Sequence, residues 1–279
     1  MITTIQGIRY AYEVSGNGAP LLLLHGFTGS KATWKPFIPL WSQRYRTIAV
    51  DIIGHGESDS PDQITHYTME AFACTLEILL QNLGIQKTNV LGYSMGGRIA
   101  LYLTVKRPEL IRAVLLESAS PGLETKEERL NRIQQDEALA DFITENGLIA
   151  FVNRWESLPL FASQKTLPEH VKEAIRKERL AQNPNGLAAS LRGMGTGQQP
   201  SLWEELPHIK KPVMLVTGRY DTKFVNIARR MKKSLPNCVH IIAEGCGHAV
   251  HVESPKTFGK IVFDRFYQFM NGKDGRNDG

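Results

Sequence analysis

Val90-Leu91-Gly92-Tyr93-Ser94-Met95-Gly96-Gly97-Arg98 is the stretch whose reading decides the fold. An apolar run that reads as a strand passes into Gly-x-Ser-x-Gly and then into an apolar-periodic helix. A serine on such a turn is a nucleophile elbow, with a strained backbone and a hydroxyl pushed out at the end of the sheet. Gly92 and Gly96 flank it because neighbours without side chains let strand and helix approach closely. The helix start adds amide donors and a positive dipole end where an anion would form. The rest of the chain must then supply a histidine, an acid and a second oxyanion donor.

Working outward, short continuous apolar runs mark buried strands at Leu21-Leu22-Leu23-Leu24, Thr47-Ile48-Ala49-Val50, Ile111 to Glu117 and Pro212 to Thr217. Residues 2–15 alternate as a hairpin about Gly7, and a strand is expected near 238–242. Helices are expected near 32–43, from Thr68 to Leu83, after the elbow, near 225–235 and near 255–270. Strands alternating with helices imply an α/β fold with a mostly parallel central sheet flanked by helices. From Ser118 to about Gln199 the chain is charged, helix-patterned and poor in strand signals. The expected organisation is a core of residues 1–117 and 201–271, a helical cap of residues 118–200, and a polar, flexible tail of residues 272–279.

In such sheets reactive residues gather at the carboxyl ends of strands. Ser94 is the candidate nucleophile or base, since a serine hydroxyl is a poor nucleophile until a neighbouring base takes its proton. Glu244-Gly245-Cys246-Gly247-His248 follows the last strand and makes His248 the candidate base. His251, three residues on, reads as a surface or helix-start residue. Gly218-Arg219-Tyr220-Asp221 follows the strand at 212–217, and Asp221 is the candidate acid that orients the imidazole. The backbone amides of Met95 and Phe27 are the candidate oxyanion donors. His25-Gly26 turns the chain so that the Phe27 amide faces the serine. His55, in Gly54-His55-Gly56, reads as loop packing.

The chain has 279 residues, 42% hydrophobic and 22% charged, with a formal net charge of +5. That suits a globular enzyme with an ample core. The charge is scattered, without the Lys/Arg block of a nucleic-acid arm. No apolar run approaches membrane-spanning length, and the first residues lack a signal-peptide pattern. Cys74, Cys238 and Cys246 have no metal spacing and cannot all pair, which suits reduced thiols and a cytoplasmic compartment.

Together these motifs resemble the α/β-hydrolase superfamily over nearly the whole chain. That fold hosts esterases, peptidases, C–C hydrolases and lyases, so it does not fix the reaction. Narrower marks are Arg98 after the elbow, Glu117-Ser118-Ala119-Ser120-Pro121-Gly122-Leu123, Arg132 before Asp136, Trp155 ahead of Pro159-Leu160-Phe161, and Arg179 before Gln182-Asn183-Pro184. This set resembles the menaquinone-pathway branch, the 2-succinyl-6-hydroxy-2,4-cyclohexadiene-1-carboxylate synthases. The resemblance implies a lyase that eliminates pyruvate, without cofactor or metal, from a small anionic substrate with several carboxylates. It implies that Arg98, Arg132 and Arg179 bind carboxylates, that Trp155 packs on the substrate and that Tyr93 donates a hydrogen bond to it. The alternative kept open is a serine hydrolase acting on a small ester or on a C–C bond beside a ketone. The sequence does not speak to oligomeric state.

Overall fold

A computed structural model describes residues 1–272, so the expected tail, apart from Gly272, lies outside the described residues. The strands are β1 (Ile2–Ile5), β2 (Ile8–Ser15), β3 (Ala19–Leu24), β4 (Tyr45–Val50), β5 (Thr88–Tyr93), β6 (Ile111–Glu117), β7 (Val213–Gly218) and β8 (Cys238–Ala243). They form one sheet in the order β1-β2-β4-β3-β5-β6-β7-β8. β1 and β2 run antiparallel, while β3 to β8 are mutually parallel with their neighbours. Central strands β3 and β5 bury side chains on both faces, hence the apolar runs Leu21–Leu24 and Val90–Leu91 within them.

The helices are α1 (Ile38–Trp41), α2 (Met69–Asn82), α3 (Met95–Lys106), α4 (Lys126–Glu156), α5 (Glu169–Leu180), α6 (Pro184–Met194), α7 (Thr222–Ser234), α8 (Val250–Glu253), α9 (Pro255–Lys260) and α10 (Tyr267–Met270). The helix expected over 32–43 is mostly a 3-10 turn, Lys31–Phe37, followed by short α1. Pro36 and Pro39 remove amide donors there, which prevents a continuous α-helical ladder. The last helix is likewise divided, with a π-helical Ile261–Phe266 between α9 and α10.

Two apolar layers cover the sheet. Ile48, Leu76, Ile99 and Leu215 belong to one, and Leu21, Trp41, Leu115 and Phe258 to the other. Between β6 and β7 the described chain is helical and adds no strand. Thr125 opens α4 with a capping box closed by Glu128. Gly147, at φ 76°, breaks that helix and redirects its last turns. Phe151 and Val152 beyond the break pack with Leu187 and Leu191 of α6 in a third apolar cluster. The 3-10 helix Pro159–Thr166 after α4 lines the cavity of Ser94 through Pro159 and Phe161, and Gln182, before α6, accepts from Gly56 N in the loop after β4, so both lie at the carboxyl ends of the strands.

Candidate active site

Ser94 occupies φ 49°, ψ −107° between β5 and α3. Its amide donates to Glu117 O at 2.8 Å, and its carbonyl accepts from Arg98 N at 3.0 Å. A Cβ on Gly96 would press on the carbonyl oxygens of Leu24 and His25, and one on Gly92 would press on Gly96 itself. The glycines therefore permit the close approach of α3 to β3 and β5.

Asp221 and His248 come from the ends of adjacent strands β7 and β8. Asp221 caps α7 by accepting from Phe224 N at 3.3 Å, and its other oxygen lies 2.6 Å from His248 Nδ1. A carboxylate only accepts, so Nδ1 carries the proton. That leaves Nε2 to accept from Ser94 Oγ, 3.1 Å away. Glu253 fixes the histidine loop from behind, accepting from Gly247 N at 2.6 Å and Ala249 N at 3.4 Å. Both His248 and Asp221 are buried.

The amides of Phe27 and Met95 donate to no backbone carbonyl among the described residues. The loop bearing Phe27 is pinned by His25. Ile52 N donates to His25 Nε2 at 3.0 Å, so the ring proton sits on Nδ1 and is donated to Gly26 O at 2.8 Å. Burial pushes the His25 ring down from the ordinary histidine range, keeping this neutral tautomer. His55 packs beside it, edge-on to Phe27 at 5.7 Å.

A cavity of about 580 Å³ opens over Ser94 and His248, lined also by Arg98, Arg132, Trp155 and Tyr93. Arg98 is 9% exposed. Its Nη1 donates to Met194 O at 2.9 Å and Gln199 Oε1 at 3.1 Å, and no carboxylate pairs with it among the described residues. Nε and Nη2 have no protein acceptor there, yet they are not sealed from solvent, so that edge of the guanidinium opens on the cavity. Burial pushes Arg98 down to about 10, with nearby Arg132 adding to the effect and Asp136 opposing it; the side chain stays charged at neutral pH. Arg132 is held through Nε by Asp136 at 2.7 Å. Trp155 stands edge-on to Phe27 at 5.3 Å.

Arg179 is not brought to this cavity. It pairs with Glu156 at 3.3 Å, lies over the Phe161 ring at 4.9 Å, and lines a separate side cavity. Tyr93 lines both cavities, and burial raises its hydroxyl well above the usual tyrosine range. His251 does open a helix, α8, but it is not at the surface: it is 5% exposed and bonded to Glu117. Sequence reasoning also passed over Gln199, Ser190 and Lys223. Lys223 lines the catalytic cavity from the first turn of α7, and its place two residues after Asp221 was an available signal. Among the described residues no cluster of His, Cys, Asp and Glu is arranged to hold a metal ion.

Residues 19–255 match the family described as the alpha/beta hydrolase fold. A Bacillus subtilis (strain 168) protein provisionally named 2-succinyl-6-hydroxy-2,4-cyclohexadiene-1-carboxylate synthase is 45% identical over 94% of this chain and 96% of its own length. The synthase of that name from Pectobacterium atrosepticum is 30% identical over 87% of this chain and 91% of its own. The solved structure of MenH from S. aureus is similar at a TM-score of 0.88 and 35% identity, covering 95% of this chain and 99% of that one.

Proposed function

This chain belongs to the α/β-hydrolase family, and on that footing we propose that it is a lyase rather than a hydrolase, eliminating pyruvate from 2-succinyl-5-enolpyruvyl-6-hydroxy-3-cyclohexene-1-carboxylate. The product is 2-succinyl-6-hydroxy-2,4-cyclohexadiene-1-carboxylate, an intermediate of menaquinone biosynthesis. Relatives named as this synthase support the reading. The observation that carries it is Arg98, a buried cation with an open fork in the cavity of Ser94 and no acid of its own among the described residues. A buried charge is costly unless paired, and a ligand carboxylate is the natural partner for a guanidinium edge.

The names of substrate and product define the chemistry. The ring carbon bearing the succinyl group loses a proton, its electrons move through the neighbouring double bond, and the carbon–oxygen bond to the enolpyruvyl group breaks. That carbon lies beside a ketone, so charge develops on the ketone oxygen. In our reading His248 draws the Ser94 proton, Asp221 steadies the resulting imidazolium, and the Ser94 oxygen takes the ring proton. The Phe27 and Met95 amides receive the developing oxygen anion. Arg98 and Arg132 hold substrate carboxylates and Tyr93 and Trp155 line the ring's site; the departing enolpyruvate takes up the proton left on His248, directly or through solvent, which restores the neutral imidazole and gives pyruvate. We also propose that residues 118–200 act as the cap that excludes water. Among the described residues no helix is long and apolar enough to cross a membrane. The cytoplasm is the compartment this role implies, and three unpaired thiols support it.

Incubation with the enolpyruvyl cyclohexene substrate, with pyruvate measured by a coupled assay, tests the proposal. Release of pyruvate far faster than cleavage of simple aryl esters is expected. Rapid ester cleavage without pyruvate release would favour a serine hydrolase.

A further inference from the structure

The amino ends of the strands, opposite Ser94, carry a second polar concavity. Arg46 of β4 pairs with Pro20 of β3, Leu21 of β3 with Asn89 of β5, and Thr88 of β5 with Ile111 of β6. Arg46, Lys87 just before Thr88, and Arg112 just after Ile111 therefore stand in one row across four neighbouring strands. At ordinary strand spacing that row is about 14 Å long. Lys87 and Arg112 are exposed and Arg46 is half-buried, and all three line a cavity of about 360 Å³. No carboxylate lines it, and none pairs with these cations among the described residues. Arg46 donates only to Leu83 O, at 3.3 Å.

Backbone donors are left over at the same place. Asn17 and Gly18, between β2 and β3, and Gln86 and Lys87, between α2 and β5, line the cavity. Their amides donate to no backbone carbonyl among the described residues. Both loops are pinned beside these amides, since Ala19 N donates to Arg44 O at 3.2 Å and Ile85 N to Leu80 O at 2.8 Å. Three cations without an acid repel one another, and a multivalent anion would relieve that repulsion. Guanidinium forks match phosphate oxygens, an ammonium serves as a point charge, and unpaired amides add donors for the same oxygens.

We propose that this cavity is a second ligand site, taking a small anion with two or more linked phosphates between Arg46, Lys87 and Arg112. A single phosphate would leave one end of the row unmet. The diphosphate group is the chemistry shared by a free polyphosphate and a nucleotide. The six residues of β5 put about 20 Å between Lys87 and Ser94, so the occupant does not compete with substrate. The site stands whichever reaction Ser94 performs.

Pyrophosphate, without added divalent metal, is the probe, titrated by calorimetry into the full chain. Saturable binding is expected, about tenfold or more tighter than that of inorganic phosphate and weaker as salt rises. Lys87→Gln combined with Arg112→Gln should lower the affinity about tenfold or more. Lys232→Gln combined with Lys233→Gln removes the same charge from the last turn of α7 and should leave the affinity within about threefold. In the ¹⁵N-labelled wild type, the amides of Gly18, Gln86 and Lys87 should shift on titration, a reading that decides even where a variant fails to fold. ADP binding as tightly as pyrophosphate supports a nucleotide as the source, and far weaker ADP binding supports a free polyphosphate. Equal losses in the two charge-matched variants, equal affinity for inorganic phosphate, unmoved amides at those three residues, or no binding at all would overturn the proposal.

Discussion

The Arg98 guanidinium is held by the neutral amide oxygen of Gln199, 3.1 Å away, rather than by an acid. Gln199 is fully buried, and its own amide nitrogen has no partner among the described residues. The pair fixes the arginine's direction without cancelling its charge. Gln199→Glu would cancel it from inside. The expected outcome is a rise in KM of about tenfold or more with an unchanged or higher Tm, since an internal ion pair would compete with the substrate carboxylate. Steady-state kinetics with a thermal melt checks both; an unchanged KM would mean that Arg98 meets no anion.

Removing the cation separates catalysis from folding. Arg98→Met deletes a buried charge that no carboxylate pairs with directly among the described residues, so Tm should hold or rise. The kcat/KM for pyruvate release should fall about a hundredfold or more, as when a charged binding partner is truncated. Loss of Tm together with activity would show that the arginine serves mainly the fold.

Gly96 couples the elbow to the oxyanion loop. A Cβ there would press on the backbone oxygens of Leu24 and His25, which cannot swing aside as a side chain can. Gly96→Ala should lower stability by about 1–3 kcal/mol, a typical cost of overpacking, and should reduce kcat by moving the Phe27 amide. A chain that melts and turns over like wild type would contradict the close approach.

Acid should loosen the fold through His55. Burial, chiefly, lowers its pKa to about 3, from an ordinary value near 6.5. Because the unfolded chain binds the proton more readily, His55's contribution is complete above about pH 6.5 and is lost as pH falls toward 3. Urea midpoints should therefore drop between pH 7 and pH 4.5, and His55→Gln should flatten that drop. An identical slope in the variant would remove His55 from the account.

The sheet, the elbow and the places of Asp221 and His248 were legible because each stands at a strand end, where chain order and topology leave little freedom. Arg98 was legible for a related reason: it lies one turn into the helix that the elbow begins. Arg179 was not, because its position depends on how the helices between β6 and β7 pack, and there Glu156 and Phe161 draw it into the side cavity. The helix start at His251 was legible, but its burial against Glu117 was not, for want of a motif. Its partner, Glu117, could have been found by applying the strand-end argument to β6. The expected helix over 32–43 ignored two prolines and was too regular.

The central claim is that Ser94 acts as a base toward a ring carbon. It is tested most directly by single-turnover pyruvate release from substrate carrying deuterium on the carbon that bears the succinyl group. The account predicts release several-fold slower than from the protiated compound, because the carbon–hydrogen bond breaks in the chemical step. Equal rates for the two compounds, with chemistry limiting, would contradict it.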